Sequence, residues 1–596
     1  MIQRLFDIVE QRSRLRPDSI MLSAKENGSW RTYSSKYVWD TANKLAGGLL
    51  AQGIDRNVVD PLLQVKIAIV SPNRPEWIIT DIGVQLTGAV LTPVYPTISP
   101  AEIAYVLNEA DVKIVFVANK DIYERFKDAF KDVRSLKKIY SFDEIEGVAH
   151  WHELIKLNAS PDQSIIASIK TETLATIIYT SGTTGNPKGV MLTHKNIVSN
   201  VQDSMPAFSF ASPDSKALSF LPLNHIFERM VTYVYLQAGV SVYYAESMDT
   251  IGLNLKEVKP LVFTTVPRLL EKVYERIMNT GLELTGIKRA LFFWALNLGK
   301  KFDNIEKGSL WYQLQLALAK AIVFKKWREA LGGNVKAIVV GSAACQERLV
   351  RIFTAAGLVV MEGYGLTETS PVVSVNRFES DNRRFGTIGP LIQNVEVKLA
   401  DDGEILTRGA NVTIGYFKHP ELTEAAIEKD GWFHTGDIGT WVENRFLKIT
   451  DRKKEIFKTS GGKYVAPQVI ENKLKESAFI EQMIVVGSGR KFVSALIVPS
   501  FVQLRKYLRD NFPQLSIPEK NNELIKLKEV NAIMQKQIDK YNPLFSHPEQ
   551  IKKIALIADE WTIDSGELTP SLKIKRKIIE QKFSSEIEAL YDDVAA

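Results

Sequence analysis

The stretch YTSGTTGNPKG at residues 179–189 packs three glycines, four Ser/Thr hydroxyls and one lysine into eleven residues. Glycines let backbone N–H groups approach phosphate oxygens closely. Thr180, Ser181, Thr183 and Thr184 add hydroxyl donors, and Lys188 adds a positive charge. The P-loop has a different order, with glycine, four residues, then Gly-Lys. Here Lys188 follows Pro187, and the glycines fall at Gly182, Gly185 and Gly189. The loop follows the apolar run LATIIY, which reads as a strand. That puts it at the position of a βα loop, where open parallel sheets bind ligands. The expected ligand is a triphosphate or pyrophosphate.

Working outward, apolar β-branched runs recur: KIAIVSP, VKIVFVAN, LVFTTVP and VKAIVVGSAA. Helix-like stretches fall between several of them, so parallel α/β layers are expected over most of the first 400 residues. Residues 282–330 differ, being long, mixed apolar-basic and helical in spacing. They read as a helical insertion that either buries one face or touches a membrane surface. The uncharged run MVTYVYLQAGVSVYYA that starts at Met230 is too short and too polar to span a bilayer and reads as buried. Later, VEVKLADDGEILTRG reads as a hairpin turning at Asp401-Asp402-Gly403. A charged run, a Gly-Gly pair and a Pro-started helix mark a domain junction near Asp451. The expected architecture is α/β. A large N-terminal domain (1–450) of several subdomains has layered, mainly parallel sheets and a small β-rich part. A small α+β domain (451–596) follows.

Composition is ordinary for a folded chain, with 45% hydrophobic and 24% charged residues among 596. A net charge of +6 is too mild and dispersed to indicate nucleic acid. It suits polyanionic small molecules or a weak attraction to acidic lipid. One cysteine, Cys345, rules out a disulfide framework and points to the cytosol. The seven histidines show no zinc-site spacing. Asp7 and Glu10 stand where a signal peptide would be apolar. No Gly-x-Ser-x-Gly elbow is present, which argues against a serine hydrolase.

The order of the loop's residues resembles the signature of the adenylate-forming superfamily, which includes acyl-CoA synthetases, adenylation domains and firefly luciferase. Further stretches resemble that family's motifs in the expected order: LPLNHIFER, GSAA at 341–344, GYGLTETSP, GWFHTGDIG, DRKKEIFKTSGGKYVAPQVIE and GELTPSLKIKRK. The resemblance spans nearly the whole chain. It implies that a carboxylate attacks the α-phosphorus of ATP, pyrophosphate leaves, and a thiol then displaces AMP from the acyl-adenylate. It also implies a C-terminal domain that rotates between the two half-reactions, with Asp451 as hinge.

The resemblance carries roles to single residues. The loop from Thr180 to Lys188 would clamp the β- and γ-phosphates, with Lys188 neutralising developing charge. Glu368, together with Thr180, would hold Mg2+, a hard cation that takes carboxylate and phosphate oxygens. Thr367 would bond the α-phosphate. Tyr364, flanked by Gly363 and Gly365, would stack on adenine, and Gly341, Ser342 and Ala343 would form a thin pocket wall. Asp437 would accept from the ribose hydroxyls, with Arg452 as a second contact to ribose or phosphate. His225 would flank the substrate carboxylate. Lys573 would bridge that carboxylate and the α-phosphate. Leu572 stands where the family commonly has glycine. Cys345 has no activating histidine adjacent in sequence and is not expected to be catalytic.

The ending DEWTIDSGELTPSLKIKRK and the helical insertion resemble long-chain acyl-CoA synthetases. A long-chain fatty acid, ATP and coenzyme A are therefore the expected substrates. Another carboxylate or an acyl carrier protein is the alternative. The stretch ERMVTYVYLQAGVSVYYA reads either as lining of an apolar acyl tunnel or as plain core. No anchor precedes the fold and no carrier-like segment follows the lysine motif, which suggests a bacterial-type enzyme using free coenzyme A. Expected partners include no nucleic acid. Peripheral contact with the cytoplasmic membrane face and a homodimer stay open.

Overall fold

The β-branched runs form buried strands, as near-continuous apolar segments do in sheets covered on both faces. The computed structural model describes residues 2–54, 60–180, 186–569 and 572–592. Two eight-stranded sheets build the N-terminal part. The first runs in the order Gly415–Tyr416, Lys188–Thr193, Leu174–Thr180, Val90–Val94, Lys66–Val70, Val112–Val117, Lys138–Ser141 and Ala149–His150. It is parallel from Leu174–Thr180 onward. The second has a parallel centre of Val359–Gly365, Ala337–Val340, Val262–Thr265, Lys216–Ser219, Ser241–Tyr244 and Ile20–Glu26. Antiparallel strands Val372–Val375 and Ser29–Ser34 close its edges.

One local expectation is corrected. Leu174–Thr180 does not feed a helix directly. Its antiparallel neighbour is Lys188–Thr193, with Thr180 opposite Lys188, and the helix His194–Ser204 begins only after that second strand. The cause is the apolar, strand-forming run GVML after Lys188, which fills the sheet between Leu174–Thr180 and Gly415–Tyr416.

The helix Ile226–Gln237 and the strand Ser241–Tyr244 are buried, so the uncharged run from Met230 is core. Asp81 and Arg229 pair inside this core with no exposure of either side chain. Tyr233 Oη donates to Asp81 at 2.7 Å, and Arg229 Nη1 donates to Thr176 Oγ1 at 2.8 Å. All charge-bearing atoms of the pair thus have partners, as a buried pair requires.

The helical insertion consists of Gly286–Lys300, Leu310–Ile322 and Phe324–Ala330. Phe292, Phe324, Trp327 and Phe353 pack together beneath it. A four-stranded antiparallel sheet follows, of Val395–Leu399, Glu404–Gly409, Phe433–Val442 and Phe446–Arg452. The turn at 401–403 joins its first two strands.

Beyond Arg452 the chain builds a second hydrophobic core, including Ile484, Leu496, Leu504, Met534 and Ile538. These residues lie on the sheet Ile480–Val486, Val493–Pro499, Ile551–Leu556 and on the helices covering it. Polar contacts join this body to the N-terminal part: Arg268 pairs with Glu481, and Gln503 Nε2 donates to Asn279 Oδ1 at 2.6 Å. Among the described residues, no helix is long and apolar enough to cross a membrane.

Candidate active site

Segments distant in sequence meet where the two bodies face each other. Strand Val359–Gly365 and the short helix Thr367–Thr369 bring Tyr364, Thr367 and Glu368, all of them largely enclosed. Glu368 Oε1 accepts from Tyr416 Oη at 2.9 Å, and its backbone carbonyl accepts from Thr413 N at 2.7 Å. Burial raises the Glu368 carboxyl, opposed by hydrogen bonds from its own backbone and Tyr416, and by Lys573. Lys188 Nζ stands 5.8 Å from the centre of the Tyr416 ring, so the lysine and Glu368 share one tyrosine. Thr180 is half-buried opposite Lys188. Ser181, Gly182, Thr183, Thr184 and Gly185 lie outside the described residues.

Asp437 comes from the strand Phe433–Val442 and is buried. Its Oδ2 accepts from Tyr364 Oη at 2.7 Å, and Arg452 Nε lies 3.4 Å from its Oδ1. Burial raises the Asp437 carboxyl, while Arg452 and Tyr364 hold it down. Gly363 and Gly365 flank Tyr364, and a Cβ at Gly365 would strike the Pro371 carbonyl at 1.6 Å. Only glycine fits there. Gly341 directly follows the neighbouring strand Ala337–Val340, and a Cβ on it would stand 3.0 Å from the Phe227 ring. Ser342 takes a left-handed φ of 71°, and Ala343 is exposed. Non-glycine residues adopt that region rarely, and such positions gather at functional sites.

His225 caps the helix Ile226–Gln237, its Nδ1 accepting from Phe227 N at 3.1 Å. Burial, and then Lys573, lower the imidazole to about 3. The ring is therefore neutral at physiological pH, and with Nδ1 accepting, the proton sits on Nε2. The site thus gains a hydrogen-bond donor without a formal charge.

Lys573 arrives from the C-terminal body. Burial first, and then Arg452, lower its ammonium to about 8, while Asp437 and Glu368 hold it up. Leu572 before it has φ 60°, which accounts physically for a glycine preference at this position. A leucine here packs against both hydrophobic cores, fixing Lys573 at the junction of the two bodies. Asp451 is buried on the strand Phe446–Arg452, and its Oδ1 accepts from Arg452 N at 2.6 Å. Burial pushes that carboxyl up to about 7. The Cys345 thiol is pushed well above its ordinary value by burial, which makes it a poor nucleophile.

Lys573, Glu368, Asp437, Arg452 and His225 are thus brought together. Tyr416 and Thr413 also belong to the site and carry no local sequence signal, while Phe227 lies within LPLNHIFER but is not singled out there. A hard divalent cation fits here. Glu368 offers a carboxylate oxygen, and no cluster of three metal-ligating side chains exists among the described residues. Mg2+ takes few protein carboxylates when substrate phosphates supply its other oxygens.

The fold and this meeting of two bodies define the adenylate-forming class of α/β enzyme. The chain belongs to the AMP-binding enzyme family: that family's model matches residues 9–417, and the model of the AMP-binding enzyme C-terminal domain matches residues 454–595. It is 32% identical to the long-chain-fatty-acid–CoA ligase FadD15 of Mycobacterium bovis, over 98% of this chain and 96% of the relative. It is 34% identical to long-chain-fatty-acid–CoA ligase 5 of Rattus norvegicus, over 96% and 86% respectively. Among solved structures, the adenylation domain of a carboxylate reductase from Mycobacterium chelonae superposes with TM-score 0.78 at 20% identity, covering 99% of this chain and 91% of that one. The anthranilate CoA ligase AuaEII with anthranoyl-AMP gives TM-score 0.72 at 17% identity, covering 97% of each chain. The likeness to these two structures shows the fold.

Proposed function

We propose that this chain activates a long-chain fatty acid with ATP, forming an acyl-adenylate and then acyl-CoA, with release of pyrophosphate and AMP. The observation that carries the proposal is Lys573. A lysine of the C-terminal body lies close enough to Glu368, Asp437 and Arg452 of the N-terminal part to feel their charges, and its own charge helps keep His225 neutral. A carboxylate substrate and a nucleotide α-phosphate are both anions, and they repel as they approach. The Lys573 ammonium offsets that repulsion, and the neutral Nε2–H of His225 donates to the carboxylate without competing for a proton. Carboxylates are ionised at neutral pH, so no general base is needed for the attack.

Asp437 accepts from the ribose hydroxyls, with Arg452 beside it. Tyr364, its hydroxyl tied to Asp437, offers its ring to adenine, and Gly341, Ser342 and Ala343 form the facing wall. Thr367 bonds the α-phosphate. Glu368, with Thr180, would hold Mg2+, which when bound shields the phosphate charge. The loop through Lys188 grips the leaving pyrophosphate. The domain division falls near Asp451, and rotation there withdraws Lys573 after the first step to admit coenzyme A. A cytosolic enzyme meeting fatty acid at the inner membrane face completes the reading.

The test is pyrophosphate release with acids from butanoic to icosanoic, with and without coenzyme A. Release that peaks with long chains, and turns over only with coenzyme A, is expected. Release confined to aromatic or amino acids would overturn the substrate class.

A further inference from the structure

The helix Leu310–Ile322 is apolar on both sides. Its inner face packs on the core through Leu316 and Ala319, and Tyr312 Oη donates to the Leu298 carbonyl at 3.0 Å. Its outer face presents Leu310, Trp311, Leu314, Leu318 and Ile322 with exposures of 85%, 67%, 62%, 51% and 44%. At 3.6 residues per turn these five side chains fall within an arc of about 120°. The helix holds one charged residue, Lys320, and it lies off that arc. A helix that exposes a contiguous apolar stripe opposite its buried side marks a surface that meets another apolar phase. Elsewhere along the described chain, exposed large apolar residues come singly or as neighbouring pairs, which needs no explanation.

Charge surrounds this face. Residues 286–330 carry nine Lys and Arg against three acidic residues, a net +6. The whole chain is also +6, so everything outside the insertion is neutral in sum. Lys325 and Lys326 are exposed directly after the helix, and Lys288 and Arg289 are exposed beside Ile287 on the packed neighbour Gly286–Lys300. A cleft of about 340 Å³ along the helix is walled by Lys307 and Lys320 together with Asp303.

We propose that this face docks on the surface of a bilayer containing anionic lipid. The apolar stripe enters the headgroup–acyl boundary and the flanking cations meet lipid phosphates. One weak signal gives only marginal membrane binding, whereas an apolar face combined with a polybasic patch gives stable attachment. A second copy of this chain is the less fitting occupant, because pairing the insertion with itself would bring together two segments that each carry a net +6. The inference deepens the fatty-acid reading, since a long-chain acid partitions into the same boundary.

The experiment is co-sedimentation of the full chain with phosphatidylcholine vesicles, and with vesicles containing phosphatidylglycerol, at low and high salt. The intact protein is expected to bind anionic vesicles at least ten-fold more tightly than neutral ones, and to release in salt. The variant Trp311→Ser/Leu314→Ser/Leu318→Ser should lose at least ten-fold on anionic vesicles, and Lys325→Gln/Lys326→Gln should lose most of the salt-sensitive part. Both should keep the thermal melt and the pyrophosphate release measured with a short, freely dissolved acid. Intact protein that stays in the supernatant, or a triple variant that sediments like the parent, would overturn the proposal. So would a dimer that the triple variant converts to monomer, which assigns the face to a second copy. Pyrophosphate release is read separately, so failure of the fatty-acid reading cannot be mistaken for failure of this one.

Discussion

The position of Lys573 makes a pH prediction with a definite sign. Its ammonium is lowered from an ordinary 10.5 to about 8, first by burial and then by Arg452. If the charged form is the one that offsets carboxylate–phosphate repulsion, adenylation is fully supported below that value and lost above it. A group with a pKa near 8 is about nine-tenths charged at pH 7 and about one-tenth charged at pH 9. Pyrophosphate release per free enzyme, read as kcat/KM for ATP, should therefore fall about ten-fold between those pH values. An ordinary lysine would lose less than about a tenth of its charge over the same range. Glu362, pushed up to about 8 by burial, and Asp451, at about 7, titrate in the same window, so a control is needed. Lys573→Arg keeps its charge beyond pH 10. Whatever its absolute rate, its profile should lose the alkaline limb. On the proposed two-step reaction, thiolysis of preformed acyl-adenylate by coenzyme A would not use Lys573 and should show no fall over this range. An alkaline limb that stays near pH 8 in Lys573→Arg would refute the assignment. So would a parent enzyme flat to pH 10.

Two further outcomes follow from buried partners. Removing Arg229 strands the fully buried Asp81, and Arg229→Ala should cost about 3–5 kcal/mol in denaturant unfolding. Arg229→Met/Asp81→Leu, which removes both charges, should recover most of that loss, and a double variant no better than the single would contradict the pair's role. Tyr416→Phe removes one hydrogen bond from Glu368, a loss on the order of 1 kcal/mol. It should raise the Mg2+ concentration for half-maximal pyrophosphate release about five-fold and leave the melting temperature nearly unchanged. An unaltered Mg2+ requirement would remove Glu368 from the metal site.

Strand runs and motif order made the parallel sheets and the list of candidate residues legible in the sequence, because both are local signals. What failed was adjacency. The glycine-rich stretch read as a βα loop, since LATIIY looks like any strand before a helix. The second strand, Lys188–Thr193, is held in place by Gly415–Tyr416, more than 200 residues away. Tyr416 was invisible for the same reason: its hydroxyl matters only because that strand brings it to Glu368. Leu572 was legible as a departure from the family pattern but not as an explanation. Its φ of 60° shows the backbone demand that glycine meets without strain, and its contacts with both cores show what a leucine adds in return. The outer face of Leu310–Ile322 illustrates the remaining limit. Apolar spacing gives a helix but not which side is covered, and only the packing of Leu316 and Ala319 inward leaves Trp311 and Leu314 outward.

The site's electrostatics follow from the same two-body construction. Burial weakens the ordinary charge of four groups at the centre: it raises Glu368 and Asp437 and lowers His225 and Lys573. Groups optimised for one another would be stabilised in their charged forms, as surface ion pairs are here for Lys36 with Asp40 or Arg408 with Glu396. Instead Lys573 is contributed by one body and the carboxylates, with Arg452 beside Asp437, by the other, close enough to interact through the field yet left without full compensation. Such an arrangement costs stability in the empty protein, and an ATP phosphate beside Lys573 together with a cation at Glu368 would remove both deficits at once. Rotation of the C-terminal body would withdraw Lys573 from the carboxylates, restoring its solvation and leaving space for an incoming thiol. On the proposed reaction, the incomplete pairing would let one set of residues favour pyrophosphate displacement first and release the adenylate to the thiol afterwards.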